Sequence, residues 1–369
     1  MNLYNSVVYQ IFPRNYSIKG DFKSITNDLK RIKDLGVDII YLMPIHEIGR
    51  LKRKGTFGSP YAIKDYFSIS KDLGNLDDFL ELVKETHLLG MKIILDMVFN
   101  HTSPDNVLLN DHKDYYFHRN GKLGNRVGDW TDIVDLDTHK AETQNYLIEV
   151  LKYWVKQGVD GFRFDVASMI PLSFFKKARD ILGDDIIFIG ESIDPGFSKY
   201  LKEKGDYYTE DNEMYPTFDS LYNYNYFRSL VGYFKGENKL EEIISSINND
   251  HGNLRLLCLE NHDNERIASI ASHNTLAKWL DFFSFIKGQG FIYAGQEYGA
   301  KHKPELFEKD PIDLTNTDDK YLNLYKNFIL MKHSQKKIIH QSIELINSHK
   351  VKVKVQYDEG MVEERIFEL

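Results

Sequence analysis

Four carboxylates stand at the ends of short apolar segments that are widely spaced along the chain. Asp96 lies near the end of MKIILDMV, Asp165 ends GFRFD, Glu191 follows IIFIG, and Asp263 comes shortly after RLLCLE. A single acidic residue in such a position is often a helix N-cap or one half of a salt bridge. Four that converge repel one another and cost stability, so together they predict a functional site.

Paired carboxyl groups are suited to the cleavage of a glycosidic bond. One of them must be ionised to attack or stabilise an oxocarbenium-like centre, while the other stays protonated to release the leaving oxygen. Proximity produces this division, because ionising the first group raises the pKa of the second. The residue types therefore favour glycoside hydrolysis.

Alternating apolar runs and amphipathic helices must position these side chains, and this alternation is typical of parallel βα units. Helices are predicted at 22–35, 76–89 and 140–157. Eight units in about 300 residues indicate an α/β (β/α)₈ TIM barrel, with a doubly wound sheet as the alternative, and the barrel's active site lies at the C-terminal strand ends. The predicted strands are Val7–Phe12, Val37–Met43, Met91–Val98, Gly161–Asp165, Ile186–Gly190, Tyr215–Phe218, Arg255–Leu259 and Gly290–Ala294.

Two segments do not fit the repeating unit. Residues 101–138, after the third strand, have no strong helical period, and a loop of this length is commonly functional or a small subdomain. Residues 336–369 show short alternating patterns that predict a thin β segment, which is either naturally reduced or truncated. We therefore expect a barrel at 1–100 and 139–335, a small insertion after strand 3, and a short C-terminal β appendage.

Five motifs in order resemble those of the α-amylase superfamily of retaining glycosidases. The resemblance runs from Val7 to about Asp313, and the combination is far more specific than any single motif. The motifs are Asp96–His101 (DMVFNH), Gly161–Ala167 (GFRFDVA), Glu191 after Phe188-Ile189-Gly190, Asn261-His262-Asp263, and Gly58-Ser59-Pro60-Tyr61.

The resemblance implies a role for each matching residue. Asp165 would be the nucleophile, Glu191 the general acid/base, and Asp263 the carboxylate that stabilises the distorted sugar. Arg163 shares a strand face with Asp165, and would orient that nucleophile and keep it ionised or pair with Asp96. The residues assigned to substrate binding are Tyr61, Asp96, His101, Arg163 and His262, and Trp130 either lines an outer subsite or packs the insertion.

The resemblance also raises the question of calcium, which many family members bind. A hard cation needs about six to eight oxygen ligands, and the sequence does not supply an obvious set. Asn100 is the only candidate metal ligand, and it also suits a plain structural hydrogen bond. We expect no required cofactor, with calcium as the unresolved alternative.

Composition narrows the possible partners. The 47 Lys and Arg residues against 55 Asp and Glu give a net charge of −8, which argues against nucleic acid or an anionic membrane. A single cysteine, Cys258, excludes an internal disulfide and fits a reducing compartment. With no signal-peptide pattern or long apolar stretch, we expect a cytoplasmic protein.

The leading hypothesis is hydrolysis of α-1,4 bonds in malto-oligosaccharides or related α-glucans. A transferase or an α-1,6-glucosidase of the same superfamily is the nearest alternative, because the motifs do not fix the linkage or the attacking group. An inactive amylase-like scaffold is the alternative of another class, although the catalytic acids are retained. A zinc hydrolase is disfavoured, since neither HxH nor HExxH spacing occurs.

Overall fold

The computed structural model describes residues 3–250, 254–315 and 317–369. Within these ranges eight parallel strands close into a barrel, in which each strand pairs with its neighbours along the chain and the last pairs with the first. The predicted (β/α)₈ fold is therefore confirmed. The strands are β1 Val7–Ile11, β2 Ile39–Leu42, β3 Lys92–Met97, β4 Gly161–Phe164, β5 Ile187–Gly190, β6 Ser220–Tyr222, β7 Arg255–Leu257 and β8 Gln289–Tyr293.

Helices surround the barrel and bury one face each against it. The helix Phe22–Leu35 shows the local causes, since Asp21 caps its first turn through the Ser24 N–H and Gly36 ends it at φ 104°. The described α-helices are Phe22–Leu35, Leu76–Leu88, Ala141–Lys156, Leu172–Leu182, Pro195–Lys204, Asp211–Met214, Tyr224–Phe234, Leu240–Asn248, Ile267–Ile270, His273–Phe285 and Asp319–Ser334. None of these helices has the length and hydrophobicity needed to cross a bilayer.

The predicted sixth strand is wrong. The strand is Ser220–Tyr222, which pairs with Ile189 on one side and Arg255 on the other. The residues of the predicted strand lie elsewhere: Tyr215 follows a short helix, and Phe218 packs on Phe175 with ring centroids 4.6 Å apart. The other predicted strands lie within two residues of the observed bounds.

The insertion after β3 is built from short antiparallel pairs. His101–Thr102 pairs with Val134–Asp135, and His118–Arg119 pairs with Lys122–Leu123. The pairing of His101 with Asp135 returns the end of the insertion to its start. The insertion therefore stands over the C-terminal end of β3, beside the loop that follows β4.

Three antiparallel strands follow the barrel: β9 Ile338–Asn347, β10 Lys350–Tyr357 and β11 Val362–Glu368. Val351, Val353 and Val355 alternate along β10 and are buried. Phe367 of β11 packs on Phe282 of the barrel's outer helix at 5.5 Å between ring centroids. The small sheet is thereby covered on one face by the barrel.

Candidate active site

One guanidinium group joins three carboxylates at the C-terminal end of the barrel. Arg163 of β4 contacts Asp96 of β3 at 2.7 Å, Asp165 at 3.1 Å and Glu191 at 2.9 Å. Adjacent parallel strands carry these residues, and their register places Arg163 beside Asp96. The sequence thus brings acids from three strands onto a single buried cation.

Three carboxylates around one cation leave excess negative charge in a buried place. Burial, followed by the charge of Asp263, raises the pKa of Glu191 to about 7, against the lowering effect of Arg163. Burial and the neighbouring charge of Glu191 raise the pKa of Asp165 well above its ordinary value. The pair therefore retains a proton near neutral pH that two isolated carboxyl groups would lose.

The backbone directly after Asp165 is held in an uncommon conformation. Val166 has φ 38° and ψ 46°, a left-handed geometry that is costly for a β-branched residue. In this position its N–H donates to Oε2 of Glu191 at 2.6 Å. The strained turn thus fixes the carboxyl group of Glu191 next to Asp165.

Tyr61 and His262 lie together in the cavity that also contains Asp165. Their rings stack with centroids 5.3 Å apart, and the Tyr61 hydroxyl lies 2.7 Å from Nε2 of His262. Tyr61 donates to Asp96 at 3.0 Å, and Gln10 Nε2 lies 3.0 Å from Nδ1 of His262. With Nδ1 accepting from the Gln10 amide, Nε2 carries the histidine proton and the chain runs from Gln10 to Asp96.

His101 lies on the insertion side of the site. Its Nε2 is 4.0 Å from Oδ2 of Asp165, and burial lowers its pKa to about 4. The neutral ring can donate to or accept from a sugar hydroxyl without adding charge. Trp130 packs against it at 5.4 Å between ring centroids and also lines the cavity, so the two interpretations of this tryptophan are compatible.

Two cavities meet at the acidic centre. The first, about 370 Å³, contains Asp165 and is lined by Tyr61, His101 and His262; the second, about 500 Å³, is lined by Tyr224, Phe227 and Arg228. Glu191 and Asp263 line both cavities. These two acids therefore mark the boundary between two binding spaces of ordinary ligand-site size.

The predicted site residues occupy two levels. Tyr61, His101, Asp165, Glu191, His262 and Asp263 line the first cavity. Asp96 and Arg163 have no exposed side-chain surface, so they lie beneath the cavity instead of contacting a ligand in it. This burial differs from the expected direct contact of these two side chains with a substrate.

Sequence reasoning missed several contributors. Gln10 contacts His262, Tyr41 donates to Asp96 at 2.7 Å, and Lys54, Asp132 and Phe307 line the first cavity. A signal existed for Gln10, because it is a polar residue inside the apolar strand VVYQI. The loop residues gave no signal, since only the folded chain brings them together.

Asn100 and the nearby buried Asp135 each contact a neighbouring side chain. The side-chain amide of Asn100 lies against His101 at 3.2 Å. Asp135, the buried carboxylate across the strand pair from His101, already contacts the Arg126 guanidinium at 3.2 Å. In the described part of the chain, His, Cys, Asp and Glu side chains form no group of three that could hold a metal ion.

Comparisons with known proteins agree with this architecture. The family model for the catalytic domain of alpha amylase matches residues 10–341. An oligo-1,6-glucosidase from Bacillus cereus is 25% identical, over 96% of this chain and 75% of that protein. An alpha-amylase structure from Lactobacillus plantarum is 36% identical with a TM-score of 0.89, covering 96% of this chain and 86% of that one. A noncanonic maltogenic alpha-amylase from Thermotoga neapolitana is 31% identical with a TM-score of 0.87, covering 100% and 86%.

The closed barrel, its acidic centre and these relatives define a (β/α)₈ glycoside hydrolase. The chain belongs to the α-amylase family, whose catalytic-domain model matches most of its length. The resemblance carried by the five sequence motifs is therefore confirmed.

Proposed function

We propose that this enzyme hydrolyses α-1,4-glucosidic bonds of malto-oligosaccharides by double displacement. The observation that carries the proposal is the contact of Asp165 and Glu191 with one guanidinium, with Glu191 at the boundary of two cavities. A glycosidic bond lying across that boundary would have its anomeric carbon beside Asp165 and its bridging oxygen beside Glu191.

In the first step a carboxylate oxygen of Asp165 attacks the anomeric carbon. The bond from that carbon to the bridging oxygen breaks, and the Glu191 proton passes to the departing oxygen. A β-linked glucosyl ester of Asp165 remains. Asp263, which stands at the same boundary, stabilises the positive charge that develops on the sugar.

In the second step Glu191, now ionised, takes a proton from water. The water oxygen attacks the anomeric carbon, the ester bond breaks, and Asp165 leaves as a carboxylate. Two inversions give net retention, so the sugar is released as its α-anomer. Glu191 again carries the proton with which the cycle began.

Neighbouring residues supply orientation. Arg163 stabilises the ionised form of Asp165 and holds it in place, and Asp96 fixes Arg163 from below. Tyr61, His101 and His262 would contact the sugar in the first cavity, the tyrosine through its ring and the histidines through hydroxyl groups. The oligo-1,6-glucosidase relative makes the α-1,6 bond the second candidate linkage.

The test is the anomeric form of the first product. The purified enzyme is incubated with maltotriose, and with isomaltotriose in parallel, while the anomeric protons are followed by NMR. We expect faster consumption of maltotriose and initial release of α-anomers. Initial release of β-anomers contradicts double displacement. A preference for isomaltotriose would mean that the α-1,6 bond, and not the α-1,4 bond, is the linkage that the enzyme hydrolyses.

Two variants tie this activity to the site. Asp165→Asn should lower kcat by at least about a thousandfold, as expected for loss of a nucleophile, while the melting temperature changes little. Asp185→Asn makes the same chemical change at an exposed position and should keep full activity. Equal activity of wild type and Asp165→Asn contradicts the assignment of Asp165.

A further inference from the structure

We propose that an ion pair between Lys54 and Asp132 closes the far end of the first cavity. The enzyme would then accept only a short sugar segment on that side and cut glucan chains from their non-reducing ends. This inference rests on the proposed function, because it concerns which part of the substrate each cavity holds.

The two cavities hold opposite sides of the cleaved bond. The nucleophile attacks the anomeric carbon of the cleaved bond, and this carbon belongs to the sugar on the non-reducing side. Asp165 lines the first cavity but not the second. Glu191, which protonates the departing oxygen, lines both. The first cavity therefore takes the non-reducing side of the substrate, and the second takes the departing reducing side.

Three side chains from three loops line the first cavity but not the second. Lys54 follows β2, Asp132 belongs to the insertion after β3, and Phe307 follows β8. Nζ of Lys54 lies 2.9 Å from Oδ1 of Asp132 and 5.8 Å from the centroid of the Phe307 ring. The lysine thus connects the insertion to the last loop of the barrel.

Backbone contacts hold the loops of this wall together. The N–H of Phe57 donates to the carbonyl of Phe307 at 3.0 Å, and the N–H of Thr56 donates to Glu308 at 2.8 Å. Arg14, which is buried, donates to the carbonyls of Gly58 and Leu306 from below. The loop carrying Lys54 is therefore fixed to the loop carrying Phe307, and the ion pair spans the remaining gap to Asp132.

The burial of Asp132 makes the ion pair a barrier. The side chain of Asp132 is only 7% exposed and that of Lys54 is 36% exposed. A glucan chain that continued past this point would have to separate the pair and leave the aspartate without its cation, which is unfavourable for a buried carboxylate. In the second cavity, by contrast, the lining residue Arg228 is 82% exposed, so this cavity is open to solvent there.

The test uses maltoheptaose carrying a fluorescent label at its reducing end, with products separated at a few per cent conversion. For wild type we expect labelled products of one length, shortened by a fixed number of units from the unlabelled end. Lys54→Ala and Asp132→Ala, which remove opposite halves of the pair, should both give labelled products of several lengths. In the same two variants, activity on soluble starch relative to maltotriose should rise about tenfold.

Lys52→Ala is the matched control, because Lys52 is an exposed lysine of the same loop that does not line the cavity. Thermal unfolding of every variant identifies any loss of fold. Labelled products of several lengths from wild type, or an unchanged pattern in both active variants, overturn this inference and leave the proposed function intact. A wild-type enzyme that is inert on maltotriose contradicts both.

Discussion

Arg163 is the residue on which the arrangement of the site depends. Its side chain is fully buried, and it is the cation that contacts Asp96, Asp165 and Glu191 together. Removing this one cation would leave three buried carboxylates without compensating charge, which costs far more than loss of a surface pair. The same arginine keeps Asp165 and Glu191 close together, while their mutual repulsion favours one protonated and one ionised carboxyl group.

At the residue scale, the pKa of Glu191 predicts a pH limit on catalysis. Because the acid must be protonated in the first step, kcat/KM should fall as pH rises through about 7. The measurement is kcat/KM for maltotriose from pH 5 to 9. Glu191→Gln should remove most activity together with this alkaline limb, and a wild-type profile that stays flat to pH 9 contradicts the assigned role.

The sequence predicted the residues of the site that follow barrel strands. Asp165 and Glu191 could be placed because strand direction alone puts them at one end of a barrel. The depth of Asp96 and Arg163 beneath the cavity could not be read, since it depends on how side chains fill the interior. The contact of Tyr41 with Asp96 could not be predicted for the same reason. The Tyr41 hydroxyl donates to Asp96 from a strand whose other residues are all apolar.

At the element scale, the contacts of one arginine, Arg126, stabilise the insertion after β3. Arg126 lies 3.2 Å from Asp135, donates to the carbonyl of Leu136, and packs over Phe117 at 4.4 Å from the ring centroid. Burial nevertheless raises the pKa of Asp135 to about 6, against the lowering effect of Arg126. The arginine supplies positive charge to the insertion beside the strand that begins at His101.

This pairing predicts how the insertion responds to chelation and mutation. Prolonged treatment with EDTA should leave the melting temperature and the activity of wild type unchanged. Arg126→Met should lower the free energy of unfolding by about 3–5 kcal/mol, because it leaves a buried carboxylate without its cation. Both are measured by thermal and denaturant unfolding.

Arg119→Met is the control, since Arg119 belongs to the same insertion but is exposed. It should change the free energy of unfolding by no more than about 0.5 kcal/mol. A large loss of stability on chelation, restored by added calcium, would show that the insertion holds a cation in addition to Arg126.

Helices and strands could be predicted where the hydrophobic pattern extends over many residues, and not where it covers only a few. The helix Phe22–Leu35 has five buried apolar residues at regular spacing, with Asp21 and Gly36 at its ends. Strand β6 has three residues, beginning with Ser220, and its place is set by pairing with both neighbours. Tertiary contacts of this kind leave almost no trace in the local sequence.

At the scale of the whole molecule, a buried lysine joins the barrel to the chain that leads into the C-terminal sheet. Lys332 is fully buried, and its ammonium group donates to the carbonyl of Ile286 at 3.1 Å and to Gln335 at 2.8 Å. Gln335 in turn donates to the carbonyls of Ser284 and Phe285 at 2.9 Å. Burial lowers the pKa of Lys332 to about 7.

This lysine predicts a pH dependence of global stability. Its pKa is about 10.4 in the unfolded chain, so between pH 7 and 10 the unfolded state binds more protons and folding becomes more favourable as pH rises. The free energy of unfolding of wild type should therefore rise relative to Lys332→Met across this window, by at most about 1.4 kcal/mol per pH unit. Denaturant unfolding at several pH values measures the difference.

Lys326→Met, at an exposed position on the same helix, provides the control. Its free energy of unfolding should change with pH in parallel with that of wild type over the same range. Parallel curves for wild type and Lys332→Met would mean that the buried amine keeps an ordinary pKa, contrary to the prediction. The overall barrel was predictable because eight buried strands repeat along the chain, whereas this single contact between distant segments was not.

The proposed mechanism requires that Asp165 forms a covalent bond to the sugar while Glu191 supplies and recovers the proton. A fluorinated α-glucosyl fluoride that reacts quickly and hydrolyses slowly would accumulate that ester, and peptide mass spectrometry would locate it. We predict one added sugar on the peptide that contains Asp165, and none in Asp165→Asn. An adduct on another residue, or rapid turnover of the reagent with release of the β-anomer and no adduct, would contradict covalent catalysis by Asp165.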